Sequence, residues 1–291
     1  MRIATLVPSA TDLVCALDLG EALVGVSHEC DHPAARGRPV VTRSQIPAAP
    51  AQAPAAVDRA VSEALASGRS LYVADRARLD ALAPDLVVGQ AVCDVCAVSE
   101  AVAAEALPRG SRLLTLAATS IAGLEEDLRR LGAVVGRAEV ARGVFSDLER
   151  DLDRLPRALP GRRRVLALEW TDPPFLGGHW IPELVERVGA EHLIVGPGTP
   201  SRRSTWEEIR AAEPDLVVCM PCGYTLSEAS EEARAASGLG RLDAEIWASD
   251  ATRLFSRCTT AAVSAGAKTL AAIVSGEASS PQDALRVDPI G

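Results

Sequence analysis

The chain has 291 residues, 48% of them apolar and 24% charged, with a formal net charge of −9. That length fits two compact lobes, and the apolar fraction is ample for two cores. With Arg162–Arg164 as the longest basic run there is no stripe for nucleic acid, and no stretch reaches the roughly 18 uncharged apolar residues of a membrane span.

The N-terminus begins Met1-Arg2 and continues apolar, which resembles a signal peptide only superficially. Pro8, Asp12, Asp18 and Glu21 interrupt it before an h-region forms. Cys15 follows Leu13-Val14, but Asp12 and the bulky Val14 argue against lipoprotein processing. The reading is a cytosolic protein whose seven cysteines are mostly reduced.

In chain order, Arg2–Leu6 and the apolar run Leu23–Ser27 read as strands, and Pro47–Ala55, rich in Ala and Pro, as a loop. A short helix over Ala77–Ala83 precedes the strand Asp85–Gln90. Ser120–Leu159 then shows Leu124, Leu128, Leu131, Val134 and Val135 at helical spacing after a plausible N-cap at Ser120. This predicts one long helix joining the lobes, with any break near Gly143. The second half repeats the first: Arg164–Leu168 echoes Arg2–Leu6, and Pro214-Asp-Leu-Val-Val218 repeats Pro84-Asp-Leu-Val-Val88 after a helix over Trp206–Glu213. The polar tail Ala278–Gly291 is expected to be loosely held.

Apolar runs alternating with amphipathic helices predict βαβ units. The expected fold is α/β, with two Rossmann-like lobes of mostly parallel sheet joined by a long helix and a ligand cleft between them. The expected boundaries are 1–118, 119–161, 162–277 and a tail over 278–291.

Cys30, Cys93, Cys96 and Cys222 each follow an apolar strand-like run. Ligands of open α/β sheets bind outside the carboxyl ends of the strands, so these thiols are expected to line one site. Four thiolates suit an iron–sulfur cluster or zinc; the alternative is that each packs as a small hydrophobe, the reading preferred for Cys15 and Cys219. Glu29 and His179 are the acid–base candidates; a surface ion pair for Glu29 and solvation for His179 are the plainer readings, and glycine beside His179 permits close ligand approach. Trp170, Phe175 and Trp180 fall within eleven positions, where they either stack on a flat macrocycle or seal a small core. Arg202 and Arg203 can clamp a carboxylate or phosphate, or simply face solvent. Trp206 reads as packing at a helix start, and His32 and His192 as surface residues.

Several stretches carry a family resemblance. They include Leu6-Val-Pro-Ser-Ala-Thr-Asp-Leu-Val14, Ser27-His-Glu-Cys-Asp31, Cys93-Asp-Val-Cys96, Glu169–Phe175, Gly178-His-Trp180, Ser201-Arg-Arg203, Thr205-Trp-Glu-Glu208 and Met220-Pro-Cys-Gly223. Across nearly the whole chain this resembles the class III substrate-binding proteins of ABC importers, in their cobalamin-binding branch. The resemblance implies a cobalamin or other corrinoid ligand held between the lobes and touching the first loop, through Pro8, Ser9 and Thr11. Tyr224 and Arg257 are carried over as further ligand-binding candidates. Relatives tend to read Phe-Ser-Arg-Pro-Gly near the C-terminus, whereas Phe255-Ser-Arg257 is followed here by Cys258-Thr-Thr. An ABC permease partner is not expected without export. The two functional readings are a cytosolic corrinoid or metal-cofactor binder, and an enzyme with a cysteine-ligated metal or cluster.

Overall fold

The computed structural model describes residues 1–45, 54–67, 70–92, 98–156, 162–276, 280 and 282–289. By contacts the chain divides into two compact units. One comprises Met1–Ala48, Arg59–Ala118 and Ala122–Ser146; the other comprises Ala49–Asp58, Thr119–Ile121 and Asp147–Gly291.

The first half of the chain runs β1 (Ile3–Thr5), α1 (Pro8–Ala16), β2 (Leu23–Gly25), β3 (Thr42–Ser44), α2 (Pro54–Ala66), β4 (Tyr72–Ala74), α3 (Arg76–Leu82), β5 (Leu86–Gln90), α4 (Glu100–Glu105), β6 (Arg112–Leu116), α5 (Ile121–Val135) and α6 (Ala138–Asp153). Strands β2-β1-β5-β6 form a wholly parallel sheet, and β3 pairs antiparallel with β4. The core strands are short apolar runs because a parallel strand covered by helices on both faces has no solvent side; Ile3, Leu86, Val87 and Val88 are fully buried.

The second half runs β7 (Arg164–Thr171), β8 (Pro174–Leu176), α7 (Ile181–Arg187), β9 (Glu191–His192), β10 (Arg202–Arg203), α8 (Trp206–Ala211), β11 (Leu216–Cys219), α9 (Leu226–Ala235), β12 (Glu245–Ser249), α10 (Ala251–Leu254), α11 (Thr260–Ser275) and β13 (Ala284–Arg286). Its sheet, ordered β10-β8-β7-β11-β12-β13 with β9 also on β7, has a parallel centre of β9, β7, β11 and β12 and antiparallel outer strands. The expected class, α/β with mostly parallel sheets, is what the chain forms.

Three local expectations are corrected. The helical stretch breaks at Gly136, whose φ of +70° ends α5 in the left-handed region that glycine enters without steric cost; Gly143 lies inside α6. Leu124, Leu128 and Leu131 are buried along α5 as their spacing requires. The tail is not loose over its described residues: Ala284–Arg286 pairs with β12, and Ala284 and Val287 are buried. The loop expected over Pro47–Ala55 meets a helix that starts at Pro54, while residues 46–53 lie outside the described ones.

Candidate functional site

In the first unit, the candidates gather at the carboxyl ends of β1, β2 and β5. Pro8, Ser9 and Thr11 form the first turn of α1, not a loop, because Pro8 occupies the position where its fixed φ starts a helix. All three are buried. Thr11 Oγ1 shares a 2.7 Å hydrogen bond with Thr5 Oγ1, and Ser9 Oγ lies 3.5 Å from Gln90 Oε1 on β5.

His28, Glu29 and Cys30 stand in a turn beyond the end of β2, so strand alternation no longer separates them. The turn is fixed from β3 and β4. Thr42 Oγ1 accepts the His28 amide at 3.0 Å and contacts its Nδ1 at 2.7 Å. The Tyr72 hydroxyl donates to Glu29 Oε1 at 3.4 Å, and the His28 and Tyr72 rings are 5.7 Å apart. Glu29 is exposed, with His28 Nε2 at 3.8 Å. Cys15, expected in the core, is half-buried with its Sγ 3.6 Å from His32 Nδ1. Burial, with Asp12 and Cys30 adding, pushes its thiol up to about 11, so it stays neutral.

In the second unit, Trp170 at the end of β7 meets Tyr224 edge-on, with ring centroids 5.4 Å apart, and donates from Nε1 to Pro54 O at 3.3 Å. Phe175 is half-buried on β8, opposite Trp170 in register. Trp180 is only 8% exposed, and its Nε1 has no hydrogen-bond partner. Gly178 accommodates this chain's own backbone: a Cβ there would lie 2.5 Å from Ser201 N and Thr199 O. The next residue, His179, is held at φ +54° by its amide donating to Thr199 O at 2.6 Å and its carbonyl accepting from Gly198 N at 2.8 Å. Burial lowers the His179 pKa, keeping the imidazole neutral.

Arg202 and Arg203 extend along β10, and carboxylates of the same chain take both guanidinium groups. Arg202 makes a fork with Glu208 at 2.5 and 3.2 Å, and Arg203 meets Asp58 at 2.5 Å. Trp206 begins α8 behind an N-cap at Thr205, as expected. Arg257 is half-buried, and Cys258 and Thr259 beyond it have structural duties: Cys258 is buried, and Thr259 caps α11. His192 is not a surface residue. Burial pulls its pKa down to about 4, while Nδ1 contacts Val195 O at 2.8 Å and Nε2 has no partner.

Of the four expected thiol ligands, two stand among the described residues. Cys93 and Cys96 lie outside them, Cys30 belongs to the first unit, and exposed Cys222 to the second. Among the described residues no group of three or more His, Cys, Asp or Glu side chains is arranged to hold a metal ion.

Sequence reasoning missed Glu232. It sits on α9 between Thr171, whose hydroxyl donates to Oε1 at 2.6 Å, and the Tyr224 side chain, which also hydrogen-bonds to it. Its signal is a carboxylate on the face shared by Ala229 and Ala233, the buried stripe of an otherwise polar helix.

No family model and no curated protein matches the sequence. Solved structures do match its fold. A periplasmic heme-binding protein from Pseudomonas aeruginosa aligns with a TM-score of 0.70 at 20% identity, covering 100% of this chain and 99% of that one. An ABC transporter substrate-binding protein from Listeria monocytogenes gives 0.64 at 18% identity, covering 94% and 98%. The periplasmic vitamin B12-binding protein of Vibrio cholerae gives 0.59 at 16% identity, covering 94% and 96%. The chain has the fold of the class III periplasmic binding proteins.

Proposed function

We propose that this chain is a ligand-binding protein for a tetrapyrrole-type cofactor, with a corrinoid as its ligand. The observation that carries the proposal is the correspondence over nearly the full length with binding proteins named for haem and for vitamin B12. Fold alone does not choose a ligand; the preference for a corrinoid rests on the cobalamin-branch stretches such as Ser27–Asp31 and Gly178–Trp180. The half-buried Trp170 at the end of β7 with Phe175 beside it on β8 offers flat apolar surface in the second unit, and Glu29 beyond β2 with Tyr72 on β4 offers hydrogen-bonding surface in the first, each of a kind such a ligand uses.

We place the protein in the cytosol, as a carrier or buffer. Among the described residues Cys15, Cys30 and Cys219 are free thiols, a state that a reducing compartment maintains. Equilibrium dialysis of the purified chain against cobalamin, with haemin as competitor, tests the ligand. Retention of cobalamin that haemin does not displace supports the corrinoid; retention of haemin alone replaces it with haem. Cell fractionation tests the location, and recovery outside the cytosol would turn the proposal toward an importer component.

A further inference from the structure

His28, Glu29 and Tyr72 bring a nitrogen and two oxygens to one place in the first unit, where the turn beyond β2 meets β4. Glu29 Oε1 lies 3.8 Å from His28 Nε2 and 3.4 Å from the Tyr72 hydroxyl. Two ligands of one tetrahedral metal ion, each about 2.0–2.1 Å from it, stand roughly 3.3 Å apart. The carboxylate and phenol already have that spacing, and the imidazole stands about 0.5 Å wide of it. Glu29 is exposed, and a small rotation of its side chain closes the gap.

The turn also fixes which imidazole nitrogen carries a lone pair. A threonine hydroxyl has one hydrogen. That of Thr42 goes to Ser27 Oγ at 3.3 Å, and Ser27 Oγ accepts the Glu29 amide as well, at 3.3 Å. Thr42 Oγ1 is therefore an acceptor toward His28, taking its amide at 3.0 Å and its Nδ1–H at 2.7 Å. The neutral ring thus has its proton on Nδ1 and a lone pair on Nε2, the nitrogen that faces the Glu29 carboxylate. Two acceptor atoms facing each other repel unless a cation lies between them. A proton there makes an ordinary ion pair, but the two side chains are 26% and 43% exposed, so the pair holds weakly and a metal ion displaces the proton at little cost. An imidazole anchored through its second nitrogen by a polar neighbour is the arrangement that metal-ligating histidines use.

We propose that His28 Nε2, the Glu29 carboxylate and the Tyr72 oxygen form a site for a divalent transition-metal ion of the zinc and cobalt kind. The imidazole selects such an ion over magnesium or calcium, which prefer oxygen alone. Among the described residues no three His, Cys, Asp or Glu side chains are arranged to hold a metal; the phenol supplies the third donor. Binding releases the Tyr72 hydroxyl proton to solvent, and water fills the fourth position. The inference is independent of the tetrapyrrole reading.

The test is an anaerobic titration of the full, cobalamin-free chain with cobalt(II) chloride, followed by visible absorption, with magnesium chloride as competitor. Cobalt held by nitrogen and oxygen shows d–d bands in the visible, whereas cobalt on thiolates adds intense charge-transfer bands in the near ultraviolet. Saturable d–d bands that zinc displaces and magnesium does not are expected. His28→Ala and Glu29→Gln should each weaken binding about tenfold or more, and Tyr72→Phe about tenfold. Tyr72→Phe keeps the ring and removes only the oxygen, so it decides the matter if either of the others does not fold. No saturable d–d bands, thiolate bands alone, displacement by magnesium, or affinity unchanged in the folded variants would overturn the proposal.

Discussion

The carboxylate of Asp215 accepts the backbone amide of Arg164 at 2.7 Å, and the Asp215 amide returns a bond to Arg164 O at 2.9 Å. Asp85 and Arg2 make the same pair in the first unit, at 2.7 and 2.8 Å. The guanidinium of each arginine also reaches back to a backbone carbonyl, of Glu213 and Leu82 respectively. Just ahead of each Pro-Asp-Leu-Val-Val copy, Glu213 and Ala83 take positive φ of 45° and 42°, where the following proline disfavours a further helical residue. The internal repeat is therefore a repeated device for starting two neighbouring parallel strands in register.

Replacing either aspartate should loosen that start. Asp85→Ala and Asp215→Ala are each expected to cost about 1 kcal/mol, and the Asn variants less, since an amide oxygen still accepts the bond. Urea unfolding midpoints of the four variants check this.

Gly178→Ala should be strongly destabilising. The added methyl meets backbone atoms of Thr199, Pro200 and Ser201, which have no rotamer by which to yield. Thermal unfolding should show a lowered midpoint, and Ser201→Ala, which removes only the hydroxyl bonded to Gly178 N, should show a smaller drop.

His192 should make the protein acid-sensitive. Its pKa is depressed from the usual 6.5 to about 4 by burial. The unfolded chain therefore binds the proton first, and the contribution present above pH 6.5 is lost as pH falls toward 4. NMR titration should find the His192 ring still largely neutral at about pH 5, where an ordinary imidazole is mostly protonated. His192→Asn should flatten the fall in stability there.

Glu232 has the opposite sign. Burial raises its pKa above the usual 4.5, so its protonated form favours folding below 4.5, and that contribution is lost as pH rises through the folded-state value. Glu232→Gln should be more stable than the parent near neutrality, and the gap should close in acid. Unfolding midpoints measured across that range check the crossing.

The strands were legible because β1, β5 and β11 are apolar but for Thr5 and Gln90 at the carboxyl ends of β1 and β5, as strands covered on both faces tend to be. The break at Gly136 was hidden because Leu131, Val134 and Val135 continue the helical pattern up to the glycine whose backbone ends it. Strand β13 depends on a partner far away in sequence, with Arg286 opposite Trp247, and no local pattern reveals that. Among the candidate residues, sequence located the strand ends but not which side chains turn inward. Trp180 reads like Trp170 in the sequence, yet it is buried with an unpaired Nε1 while Trp170 reaches a carbonyl. Arg202 and Arg203 read as ligand clamps because Glu208 and Asp58, which hold them, are identified only by the folded chain.

The central claim is that the chain binds a corrinoid. The most direct measurement is a visible-absorption titration of the reduced, purified protein with aquacobalamin. A saturable spectral change ending at one cobalamin per chain is the predicted result. A spectrum that stays the sum of free cobalamin and protein, with all the cobalamin passing through a size-exclusion column unbound, would contradict it.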